Sequence, residues 1–173
     1  MSTIAASKDF AGIAGTWAAD PVHSHVSFEV AYAGVNTFHG SFRDFTATLA
    51  GGRLEGSAAV ASVDVKDEQL NAHLQTPDFF DAERFPELTF SATSLDRGEL
   101  TIKGVTRPVT LTGSISEPNV DPFGRERIGL RLQATVDRNE FGVSWNAPNQ
   151  GGGSYLGDDV KIIAELALVK QEV

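Results

Sequence analysis

From residue 22 onward, apolar and polar residues alternate almost one for one, and that period of two limits what the chain can become. It sends one set of side chains to an apolar face and the other to the opposite face, the pattern of a strand buried on one side. The segment 99–113 carries the pattern most cleanly. Leu100 and Ile102 alternate with Thr101 and Lys103, and Val109 and Leu111 alternate with Thr110 and Thr112. Between these runs Gly104 permits backbone angles that other residues avoid. Pro108 fixes its own φ and pushes Arg107 toward extended geometry. A strand pair with a stiffened corner, and the cation Arg107 at that corner, is expected.

Eight runs of this kind are expected, at 22–32, 36–50, 53–65, 87–96, 99–105, 107–117, 126–137 and 158–170. The change of phase at Arg43–Asp44 marks a bulge or bend, and Gly51-Gly52 marks a turn. Short links between most runs argue for antiparallel neighbours. Pairing of the first run with the last would close the sheet and remove its edges. The expected fold class is all-β, an eight-stranded antiparallel barrel, with a two-sheet sandwich as the alternative. Residues 66–81 break the rhythm. Asp67 and Glu68 suit a helix start, Leu70 and Leu74 share a face, Pro77 ends the helix, and 78–84 reads as a second short helical turn. A short helical lid between the third and fourth runs follows.

With 173 residues the chain has length for one compact domain with a real core. That domain is expected over 15–173, behind a flexible leader at 1–14, with Trp17 starting the ordered part. A formal net charge of −9 argues against nucleic acid as a partner and against an anionic membrane surface. Cysteine is absent, which removes disulfides and thiolate chemistry. No run has the length to span a bilayer, and residues 1–20 hold no continuous apolar stretch of signal-peptide length. A cytoplasmic location without an integral membrane segment is expected.

The apolar faces hold most of the 11 Phe residues. One reading is that the rings fill a core and make the chain an interaction module. The other is that they line a tunnel, because small residues lie on the same faces: Gly40, Gly56, Ala58, Ala92, Gly113 and Ala134. Large rings facing small residues in a barrel leave a slot for a ligand. The candidate tunnel residues are Val26, Phe28 and Val30 of the first run, and Phe38, Phe42 and Phe45 of the second. Ala58 is in the third run, and Phe79, Phe80 and Phe85 are in the lid. Phe90, Leu111, Leu132, Ala134, Phe141, Trp145 and Ile162 complete the set.

His23 and His25 stand two apart and share a face with Glu29, so a metal-assisted enzyme is an alternative reading. They lie on the phase opposite Val26 and Phe28, no cysteine assists, and the solvated outside is preferred. No metal site is therefore assigned. Nucleophile-elbow, P-loop and dinucleotide-binding signatures are absent. Gly151-Gly-Gly-Ser lacks the lysine that a phosphate cradle requires.

Four blocks also resemble the YceI-like family. They are Trp17 to Phe28 with its Asp-Pro-Val-His-Ser-His-Val-Ser-Phe wording, Thr37-Phe-His-Gly-Ser-Phe42, Phe79 to Thr93, and Arg138-Asn-Glu-Phe-Gly142 with Gly157-Asp-Asp-Val160. The stretch Leu100 to Leu111 resembles a signature of the same family. The resemblance runs from about Trp17 to Leu168. It implies a lipocalin-like barrel with a hydrophobic pore that holds a long isoprenoid, as prenyl quinone or prenyl diphosphate, or another long-chain amphiphile. It implies no catalysis, no required cofactor or metal, and often a homodimer. The chain departs from the family at Tyr32, where relatives frequently have His, and at His39, where they have a basic residue. Tyr32 and His39, with Arg43, Arg84 and Arg107, are the head-group candidates.

Overall fold

The computed structural model describes residues 9–172. The alternation yields thirteen strand segments: β1 (Trp17–Ala19), β2 (His25–Tyr32), β3 (Asn36–Phe42), β4 (Phe45–Ala50), β5 (Arg53–Ala59), β6 (Val63–Asp64), β7 (Glu87–Ala92), β8 (Arg97–Ile102), β9 (Val105–Thr110), β10 (Thr112–Ile115), β11 (Asn119–Val120), β12 (Glu126–Asp137) and β13 (Leu156–Lys170). An α-helix, α1 (Glu68–Leu74), sits between β6 and β7 as the lid. Asp67 caps it, its carboxylate accepting from the Leu70 amide at 3.0 Å. Among the described residues no helix is long and apolar enough to cross a membrane.

Every strand pairing is antiparallel. Hydrogen-bonded neighbours run β6-β3-β2-β13-β1-β4-β5-β7-β8-β9, and β12 joins β13, β10 and β11. Followed run by run, each of the eight expected runs lies against the next, and β13 lies against β2. The second run bends at Arg43–Asp44, so that β3 pairs β6 while β4 pairs β5. The ladder is nevertheless not continuous around the molecule. β8 pairs β9 and β12 pairs β10, but the chain steps out of the ladder between them, where the buried Leu111 donates its amide to Asp96 O at 2.9 Å. The barrel is present in its strand order, with a break in its wall.

Other expectations are corrected locally. The first run starts at His25 rather than residue 22, because Asp20 accepts the Val22 amide at 2.9 Å and holds a turn. The hairpin corner is Lys103-Gly104, with φ of 52° and 77°, which suits a two-residue turn matched to strand twist. Arg107 is therefore not at a corner. It lies inside β9 opposite Leu100, with Pro108 opposite Glu99. β9 has a ladder on one side, so the missing N–H of proline is tolerated there. Residues 78–84 form turns, not helix. Phe80 donates to Leu74 O and Ala82 to Gln75 O, wider loops than a helix makes. Of the expected leader, residues 1–8 lie outside the described residues. Residues 9–14 pack on the barrel instead of hanging free: Phe10–Gly12 is a 3-10 turn, with Phe10 and Ile13 buried.

Phe10 joins Trp17, Leu49, Leu54, Ile128 and Leu168, none more than 3% exposed, in a dense floor at one end of the barrel. Trp17 registers with Leu49, and Leu49 with Leu54. The inward faces of the remaining strands enclose the candidate site.

Candidate ligand cavity

Inward-facing side chains of this barrel do not meet in the middle. They leave a cavity of about 600 Å³, within the range of small-molecule sites. Both Leu156 and Leu166 line it, ten residues apart along β13, or roughly 30 Å of strand. The alternative of a filled core does not describe this barrel.

Of the candidate tunnel residues, Val26, Phe28, Val30, Phe38, Phe42, Phe45, Ala58, Phe79, Phe80, Phe90, Leu111, Leu132, Ala134, Phe141, Trp145 and Ile162 lie on the cavity wall. Phe85 does not. Its ring covers Gly104, where an added Cβ would stand 2.6 Å from it, and the Arg84 guanidinium lies over it at 5.2 Å. The small residues divide as well. Gly56, Ala58 and Ala134 open onto the cavity. Gly40 is covered by the ring of its register partner Phe28, and Gly113 by Leu132. Ala92 is buried away from the wall. A glycine in a strand thus marks a ring laid across the backbone as readily as free space.

Among the head-group candidates only Tyr32 reaches the wall. His39 is exposed, 3.5 Å from Glu29. Arg43 is exposed beside the bend. Arg84 pairs with Asp81 at 3.5 Å, and Arg107 donates to Glu140 O at 3.4 Å. His39 and Arg107 lie outside because the alternation that turns their apolar neighbours inward turns them outward, whereas Arg43 sits at the bend between β3 and β4 and Arg84 in the turns after α1.

Apart from Tyr32, the polar groups that the cavity holds are not among the residues expected from the sequence. Charged side chains on its wall are Asp67 and Arg138, together with His73. Arg138 follows β12 directly and folds back, 6% exposed. Its Nε donates to Gly157 O, and its Nη1 to Val143 O and Trp145 O, each at 2.8 Å. Its Nη2 is buried without a partner, the one such buried side-chain atom among the described residues. Burial lowers its pKa from the ordinary value, opposed through space by Asp158 and Asp137. Trp145 ties this end together. Its ring lies 5.0 Å from His73, 5.4 Å from Phe79 and 6.2 Å from Tyr155, and Tyr155 stands edge-on to Tyr32 at 5.2 Å. The neighbouring Tyr32 hydroxyl raises the Tyr155 phenol. Trp145 is one of the expected tunnel residues, whereas no periodicity points to Tyr155; both arrive from a loop. The only signal for Arg138 was its place in the closing block.

The metal-assisted alternative finds no assembled site. His23 lies in the turn before β2, its Nδ1 2.7 Å from Asp20 Oδ2, and Glu29 stands near His39 and Lys161. Among the described residues no group of three or more His, Cys, Asp or Glu could hold a metal ion together.

Fold and cavity together define an antiparallel β-barrel with a largely apolar interior under a helical lid. The YceI-like domain matches residues 17–168, and the chain belongs to that family. A UPF0312 protein of Staphylococcus aureus is 30% identical over 157 residues, covering 84% of this chain and 92% of that protein. A UPF0312 protein of Pseudomonas putida is 30% identical over 137 residues, covering 70% of this chain and 71% of that one. Two solved structures share the fold. BcnA of Burkholderia cenocepacia has a TM-score of 0.68 at 22% identity, covering 88% of this chain and 99% of that one. A polyisoprenoid binding domain from Saccharophagus degradans has a TM-score of 0.73 at 11% identity, covering 91% of this chain and 100% of that one.

Proposed function

We propose that this chain is a non-catalytic binding or carrier protein for a long-chain isoprenoid or similar amphiphile, held in the barrel interior. The observation that carries this reading is the cavity of about 600 Å³, walled mostly by apolar side chains and lined along β13 from Leu156 to Leu166. Each methylene buried there contributes about 0.8 kcal/mol, offset by the ordering of the ligand. The polyisoprenoid binding of the Saccharophagus degradans domain, which shares the fold, supports the same class of guest. The reading requires no cofactor. The polar cluster around Trp145 at one end and the dense floor at the other suit a molecule lying head to lid and tail to floor.

Native mass spectrometry of the purified protein, followed by organic extraction, tests this. A long-chain lipid is expected in the extract, or uptake of a prenyl quinone by the emptied protein. A protein that carries no lipid and takes up none would overturn the reading.

A further inference from the structure

We propose that a guest enters and leaves this cavity sideways, through a slit between the free edge of β3 and α1, and that α1 is the moving side of the slit, hinged at the β8–β9 corner. The inference rests on the lipid-site reading of the cavity and adds its route of exchange.

The ladder stops short where the lid takes over the wall. β3 pairs β6 at Ser41↔Asp64 and Phe42↔Val63 and no further. The stretch from Asn36 to Gly40 pairs β2 on one side and, among the described residues, no strand on the other. From β6 the chain runs on into α1. Asn36 and Phe38 of β3 line the same cavity as Asp67, which caps α1, and Leu70 within it. Asn36 and Asp67 are exposed, and Phe38 and Leu70 are half-buried. Wall residues that also face solvent mark where the interior comes nearest the surface. Other routes are shut. The floor is dense, none of its six large side chains being more than 3% exposed. At the opposite end the rings of Tyr32, Tyr155, Trp145 and His73 stand edge-on in a row, and the Ala33 amide donates to Tyr155 O at 2.6 Å. Behind the break beside β9, Val109 and Leu111 are buried.

The lid is also held unevenly. On one side, the Lys103 ammonium at the β8–β9 corner donates to Pro77 O at 2.6 Å, three residues past the end of α1, and to Gly142 O at 3.2 Å. The Phe85 ring seals the same corner over Gly104. On the other side, among the described residues, no hydrogen bond or ion pair joins α1 to β3. The Asp67 cap and the bond from the Val65 amide to Asn71 Oδ1 stay within the lid and its approach. The lid meets β3 through Phe80, edge-on to Phe42 at 5.8 Å, an apolar contact that can part and re-form. A segment pinned on one side and resting on rings at the other opens at the resting side.

The test staples the slit in the full chain after delipidation, with menaquinone-4 as the probe. Its quinone quenches tryptophan fluorescence and so reports on Trp145 in the wall. The sequence has no cysteine, so an introduced pair, His39→Cys on β3 with Glu68→Cys on α1, reacts alone with a bismaleimide that carries a cleavable disulfide spacer. Both positions are exposed and neither lines the cavity. The staple should slow uptake and release alike, by about tenfold in stopped-flow traces, with Kd unchanged and the rates restored when the spacer is reduced. A second staple, Val35→Cys to Ser154→Cys, joins the β2–β3 turn to the loop before β13 and should leave both rates at those of the unlinked protein. Unchanged exchange through the first staple overturns the route and leaves the lipid-site reading intact. So does slowing by the second staple in place of the first, which would put the route at the barrel end. A cysteine pair that the reagent cannot join would show that β3 and α1 do not border one opening, and overturns the route as well. Wild-type protein that binds no menaquinone-4 overturns the lipid-site reading and the route together.

Discussion

Arg127 stands between two carboxylates, its Nε donating to Asp121 Oδ2 at 2.7 Å and its Nη1 to Asp20 Oδ2 at 3.0 Å. Asp121 is lowered to about 2, first by Arg127 and then by the Arg125 amide. Asp20 is held well below the usual carboxylate range, first by His23 and then by Arg127. Both folded values lie below the unfolded value of about 3.9. Their stabilisation is therefore complete above about pH 5 and is lost as pH falls through 4 toward 2 and below. Arg127→Ala should lower the urea midpoint at pH 7. The gap to wild type should narrow steadily between pH 5 and pH 2, as fluorescence-monitored unfolding would show. Arg138→Ala should cost more, about 2–4 kcal/mol at neutral pH, because three buried or half-buried carbonyls lose a charged donor together. Equilibrium urea unfolding measures it.

At the scale of single elements, caps and close approaches decide the outcome. Asp67→Ala removes the cap of α1 and should cost about 1 kcal/mol, seen as a lower Tm in calorimetry. Gly40→Ala would place a Cβ 2.3 Å from the Phe28 ring and drive that ring toward the cavity. A loss of about 1–3 kcal/mol is expected, with weaker lipid uptake in the same sample. These elements were legible to different degrees. Strand positions and the start of α1 followed from period and cap chemistry, both local properties. Phe85 and Arg107 were misplaced because their positions depend on partners far along the chain, Gly104 and Glu140. His23 was misplaced because a side-chain bond from Asp20 to the Val22 amide ended the strand before alternation did.

For the molecule as a whole, the strand order could be read because short links leave few ways to pair eight runs. The vacancy could be read because small and large side chains share inward faces. Of the polar end only Tyr32 and Trp145 could be read, since Arg138, Tyr155 and His73 come from separate segments that only the tertiary fold brings together. Ala58→Trp or Ala134→Trp should abolish uptake of a prenyl quinone while the far-ultraviolet circular dichroism stays that of the wild type, since both positions open onto free volume. A loss of stability by about 1–3 kcal/mol with no uptake to lose would instead mean a packed interior.

The interruption at Leu111 gives the wall a seam. β9 is hydrogen-bonded on one edge, whereas β12 and β13 share eleven consecutive register pairs from Arg127↔Val169 to Asp137↔Asp159. Breathing of the barrel should therefore be lopsided. In deuterated buffer the amides of residues 105–111 should exchange well before those of β12, and a bound guest, touching Val109 and Leu111 from inside, should slow them.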